Sequence, residues 1–182
     1  MFGHKSYKPS VDKSSSIAEY FLNFQKENEK DFSIFFQDQN IDMFNLYIVS
    51  IQYFSTIISI LISANTDSNP LSVHGIKRKG RYSSQKEANL WGGVNLYDDA
   101  MTEASRNYPN EKIDTAVKLC GQFMGEYQKI MNEPIVNAEK CKKLGFILFK
   151  ICGANLDRNP IARGEVEKRI DSLIYFVANY ID

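Results

Sequence analysis

The sequence predicts an all-α fold: a single-domain bundle of five or six antiparallel helices with one long basic loop at about 66–83. Three observations carry this. Apolar residues recur in steps of three and four along most of the chain, as on one face of a helix. Helix-start signals stand in front of several of these runs. No stretch alternates apolar and polar residues in the period of two that a half-buried strand needs. The length of 182 residues suits one hydrophobic core. Residues 1–13 read as an N-terminal tail and 14–182 as the helical domain.

The elements follow in order. Ser16-Ile-Ala-Glu19 has the form of a capping box, with Ile17, Phe21 and Phe24 on one face behind it, and predicts a helix to about Glu29. Phe32, Phe35 and Phe36 mark a second short turn before Asn40. A long apolar helix spans about 41–65 and ends at the turn residues Asn65-Thr-Asp-Ser-Asn-Pro70. The segment 66–83 holds Pro70, Gly75 and Gly80 and has no helical period. Ser84-Gln-Lys-Glu87 is a second capping box. The next helix shows Leu90, Val94, Tyr97, Met101, Ala104 and Tyr108, alternating four and three. Gly92 and Gly93 inside it cost about 1 kcal/mol each relative to Ala, so they point to a close backbone approach.

Pro109-Asn110 breaks the chain, and Ile113, Val117, Cys120, Met124, Tyr127 and Met131 mark the buried stripe of a fourth long helix. A helix over about 135–152 buries Leu144, Leu148 and Ile151, with Lys140, Lys143 and Lys150 pointing elsewhere. Asn159-Pro160 reads as an N-cap followed by proline at the first helical position. The last helix carries Val166, Ile170, Leu173 or Ile174, Val177 and Ile181.

The run from Met43 to Thr66 has no charged residue and is long enough to cross a bilayer. Gln52, Ser55, Ser59 and Ser63 nonetheless form one polar stripe on it. A stripe makes one face differ from the rest, as on the central helix of a soluble bundle. A core helix is therefore the expectation, and a membrane role is not expected.

Composition removes many function classes. Lys+Arg and Asp+Glu balance at 22 each, which argues against a chain that binds nucleic acid by bulk charge. Only His4 and His74 are present, so most histidine chemistry is excluded. Cys120, Cys141 and Cys152 are odd in number and not closely spaced, unlike a secreted disulfide framework. The N-terminus lacks an apolar signal region, and a cytoplasmic location is expected. There is no phosphate-binding glycine loop, no His-Glu-x-x-His helix, no CxxC pair and no GxSxG elbow. No cofactor is expected.

Three surfaces remain as candidates. The loop 74–82 places Lys77, Arg78, Lys79, Arg81 and Tyr82 together, where cations can grip an acidic protein surface or phosphates and Tyr82 can stack. Phe32, Phe35 and Phe36, with Phe44, form an aromatic cluster that serves either the core or an interface. Asp98, Asp99 and Glu103 are the best carboxylate group, as a weak metal or acid–base candidate. Asp99 and Glu103 share a helix face, and Glu126 or Asp114 would have to complete the site. Residues 19–42 carry Glu19, Glu27, Glu29, Asp31, Asp38 and Asp42 against Lys26 and Lys30, which opposes the basic loop in charge. Such polarity suits a directed protein interface or self-association.

The expected function is therefore a non-enzymatic intracellular protein-binding module, of the small inhibitor, immunity or adaptor type. It would act by occluding or sequestering a partner protein, possessing Lys77, Arg78, Lys79, Arg81, Tyr82, Phe32, Phe35 and Phe36 as contact residues. The alternatives are a small metal-dependent hydrolase on the acidic helix face and a nucleic-acid binder through the 74–82 loop.

Overall fold

A computed structural model describes residues 7–37, 39, 41–66, 70 and 82–181. Among these, six long α-helices and one short 3-10 turn form an all-α bundle with no strand. The helices are α1 (Val11–Phe35), α2 (Met43–Thr66), α3 (Gln85–Ser105), α4 (Asn110–Met131), α5 (Asn137–Ile151) and α6 (Pro160–Ile181). The 3-10 turn is Leu156–Arg158. The basic residues Lys77, Arg78, Lys79 and Arg81 lie outside the described residues.

The first helix opens at Val11, earlier than the capping box predicts. Ser16 sits inside it and donates to the Asp12 carbonyl at 3.0 Å, one turn back. The start is set by tertiary partners instead. The Ser10 amide donates to Asn89 Oδ1 at 2.8 Å, and Gln85 Nε2 donates to the Lys8 carbonyl at 2.7 Å. A backbone group that would otherwise be orphaned at the helix start is thereby satisfied. Lys8 and Ser10, which read as tail, are thus bonded to α3, and residues 11–13 are already helical. At the other end α1 runs on to Phe35 and absorbs the separate turn expected around Phe32.

Asp42 caps α2 by accepting from the Phe44 amide at 2.9 Å. Within α2, Ser55, Ser59 and Ser63 are buried, and each donates to the carbonyl four residues back at 2.6–2.8 Å. The three serines of the polar stripe therefore satisfy themselves against their own helix backbone. Met43–Ala64 is long and apolar enough to span a bilayer, and 78% of its most apolar window is buried inside the bundle. It packs against α3, α4, α5 and α6, which is the position of a central core helix.

The second capping box holds in part. Ser84 Oγ accepts from the Glu87 amide at 3.1 Å, while the Glu87 carboxylate accepts from the Ser83 amide at 2.6 Å and from the Ser83 hydroxyl. Leu90, Val94, Tyr97 and Met101 are buried, whereas Ala104 and Tyr108, past the core, are exposed. Tyr97 stands edge-on to Phe21 and Phe54, whose own rings stack 4.2 Å apart. Its hydroxyl donates to the Tyr47 carbonyl at 3.1 Å.

The glycine pair lies where α1 packs closely on α3. A Cβ on Gly92 would lie 2.3 Å from Ser14 Oγ and 2.7 Å from Pro9 Cβ. One on Gly93 would lie 2.4 Å from Ile17 Cγ2. Hydrogen in place of a side chain is what lets α1 seat on α3.

Two readings of side-chain direction are corrected. On α4 the buried row is Ala116, Phe123, Tyr127 and Ile130, while Val117 is 60% exposed. The helix is rotated by about one residue from the expected face, because small Ala116 admits the neighbour there and Phe123 packs edge-on against Tyr53. On α5, Lys140 is buried rather than turned away. Its Nζ donates to the Met131 carbonyl at 3.1 Å and satisfies an end group of α4. Asn159 caps α6 as expected, its Oδ1 accepting from the Ala162 amide at 3.1 Å.

Candidate functional site

The buried stripe of α6 is Ala162, Val166, Ile170, Leu173 and Val177. Two rows at four-residue spacing flank it. One is Asp171, Tyr175 and Asn179; the other is Ser172, Phe176 and Tyr180. Phe176 and Tyr180 are partly buried against the rim of the core, while Asp171, Ser172, Tyr175 and Asn179 are exposed. The rows meet α1 at Tyr20, whose ring stacks on Phe176 with centroids 3.8 Å apart and planes within 6°. Phe176 in turn leans on Tyr180 at 6.2 Å. The Tyr20 hydroxyl donates to the Ser172 carbonyl at 3.3 Å, and Asn89 Nδ2 donates to Tyr180 Oη at 3.3 Å.

The result is an open groove of about 690 Å³ beside the α1–α6 seam, floored by aromatic rings. Tyr175 stands 70% exposed on its wall. Burial, and secondarily the Glu27 carboxylate, push the Tyr20 phenol up, so it stays a neutral donor. A smaller depression of about 390 Å³ continues from Tyr20 and Ser172 towards Glu27, Lys168 and Arg169.

Arg169 fixes this seam. Its Nη1 donates to Asn28 Oδ1 at 2.7 Å, and it pairs with Asp31 and, at 3.8 Å, with Glu27. Burial lowers the guanidinium pKa and Glu27 opposes that shift. The cluster holds α6 against α1 in a fixed register, so the groove is set by the fold. The seam thus has a clamped end at Arg169 and an open aromatic end at Tyr175.

The residues singled out from sequence are placed differently. Phe32 is 5% exposed and Phe36 3%, and Phe32 meets Phe149 edge-on at 5.5 Å. Phe35 is partly buried against the same core. Phe44 is buried against Tyr108, with Lys112 above both rings. Tyr82 is 7% exposed and belongs to the core cluster, so its ring is not offered for stacking. These side chains hold the bundle together in place of forming a patch, because a small domain spends its largest rings on burial.

The acidic trio does not converge on a site. Asp99 and Glu103 are exposed, and Glu103 pairs with Arg106 at 2.6 Å. Asp114 is exposed, and Glu126 pairs with Lys129 at 2.6 Å. Among the described residues no group of three or more His, Cys, Asp or Glu side chains is placed to hold a metal ion. Burial pushes the Cys141 and Cys152 thiols to about 12 and Cys120 to about 11, with smaller contributions from neighbouring groups. That favours inert, protonated thiols over reactive ones.

Sequence reading missed Tyr20, Tyr175, Phe176 and Tyr180. The signal was present: three aromatic residues fall between positions 175 and 180, off the stripe that the core uses. No protein-family model, curated protein or solved structure matches the chain.

Proposed function

We propose that the chain is a non-enzymatic protein-binding module of the inhibitor, immunity or adaptor type, acting in the cytoplasm by covering a partner protein. The aromatic groove of Tyr20, Tyr175, Phe176 and Tyr180 carries this reading. Aromatic rings on a rigid, water-exposed face are what binding hot spots are made of. A ring 70% exposed at Tyr175 does little for folding and much for a partner that covers it. Lys77, Arg78, Lys79 and Arg81 remain a proposed second contact by their sequence alone.

The test is affinity capture of the partner from the native host with wild type, Tyr175→Ser and Val117→Ser. Val117 is 60% exposed on α4 and does not line the groove. Retention of the partner should fall at least about tenfold for Tyr175→Ser, as at a hot spot, and stay unchanged for Val117→Ser. Equal retention by all three proteins would remove the groove from the function.

A further inference from the structure

Among the described residues that line the 690 Å³ groove, the charged side chain is the Asp171 carboxylate. The rest of the lining is Tyr20, Tyr175, Phe176 and Tyr180 with the amide of Asn179 and Ser172. Asp171 is 55% exposed. Its nearest cation, Lys142 Nζ, is 3.5 Å away but 2.5 Å from Glu167, so that ammonium is shared and bound more closely elsewhere. The cations of the adjoining depression are committed as well. Lys168 pairs with Glu165 at 2.7 Å, and Arg169 is held by Asn28 and Asp31. The groove thus offers aromatic faces beside a carboxylate with bonding capacity to spare.

We infer that the groove takes an arginine side chain of a partner protein, on a segment that also lays an apolar side chain on the rings. A guanidinium is planar and weakly hydrated, so it stacks on a phenol or phenyl face and still donates to a carboxylate. Asp171 and Tyr175 are four residues apart on α6, so the carboxylate and the most exposed ring lie on the same helix face. Asn179 extends that row and can accept from the same or a neighbouring donor. An acidic segment would meet Asp171 and Glu27 as like charges and be rejected.

This rests on the protein-binding reading of the groove, and the experiment separates the two. The full chain is titrated by NMR with a short amphipathic peptide of Leu, Ala and Arg, and with its counterpart carrying neutral citrulline at each Arg position. The Arg peptide should shift the ring signals of Tyr20, Tyr175, Phe176 and Tyr180 in a saturable way, more strongly than the citrulline peptide. Asp171→Asn should weaken the Arg peptide by about two- to fivefold, the size of an exposed cation–π or ion-pair contact, and leave the citrulline peptide unchanged. Equal affinities of the two peptides, or no shift at these rings, overturns the inference. Asp171→Asn is also tested against the captured partner. If Tyr175→Ser loses that partner and Asp171→Asn keeps it, the arginine inference fails while the protein-binding reading stands. If both variants keep it, both fail.

Discussion

A methyl group at Gly93 would be forced into the side chain of Ile17, with Cγ2 at 2.4 Å and Cβ at 2.7 Å. Ile17 is itself 1% exposed and branched at Cβ, so it has no room to turn aside. Helix propensity argues the other way, since Ala is favoured over Gly by about 1 kcal/mol in a helix interior. Overpacking costs about 1–3 kcal/mol and should win at this site. Gly121 on α4 is the control: nothing lies within 4 Å of its would-be Cβ. Gly93→Ala should therefore lower the urea midpoint and Gly121→Ala should raise it. A midpoint that rises for both variants would show that α1 does not seat on this glycine face.

At the scale of the element, α2 gathers the buried hydroxyls and thiols of the bundle around it. Tyr53 is fully buried and donates to the Cys141 carbonyl at 3.2 Å. Tyr97 and Tyr127 are also fully buried. Burial raises the pKa of Tyr53, Tyr97, Tyr127, Cys141 and Cys152. In the unfolded chain the same groups ionise near 9.0 for Cys and 10.0 for Tyr. A raised folded pKa leaves stability intact below the unfolded value and loses it as pH climbs through the folded one. The melting temperature should hold to about pH 8 and then fall steadily to about pH 11. A flat profile over that span would mean these groups are solvated and the α2 environment is not dry. That this element is a mostly buried central helix was legible in its apolar run; the serine stripe did not mark a separate face, since Ser55, Ser59 and Ser63 are buried with the rest. The rotation of α4 against α2 was not legible, since hydropathy favours Val117 for the core while close helix packing buries the smaller Ala116.

Across the whole molecule, what sequence disclosed and what it concealed divide along one physical line. Patterns local to one helix were readable: the caps at Ser84 and Asn159, the buried row through Tyr97, the close approach at Gly92 and Gly93. Features that need two helices at once were not. The start of α1 depends on Asn89, far along the chain. Lys140 is buried because the end of α4 sits above it. The rings of Phe32, Phe36 and Tyr82 are spent on the core, whereas Tyr175 of α6 is 70% exposed beside the partly buried Tyr20, Phe176 and Tyr180. The proposed contact surface is of this second kind, since Tyr20 and Phe176 become one feature only when α1 and α6 lie side by side. Its most direct test is a photo-reactive phenylalanine analogue placed at Tyr175 and, separately, at Val117, with irradiation in the native host. A single covalent adduct of defined mass at position 175, absent at 117, is the predicted result. No adduct at 175, or the same adduct at both positions, would contradict the assignment of the α1–α6 groove as the contact surface.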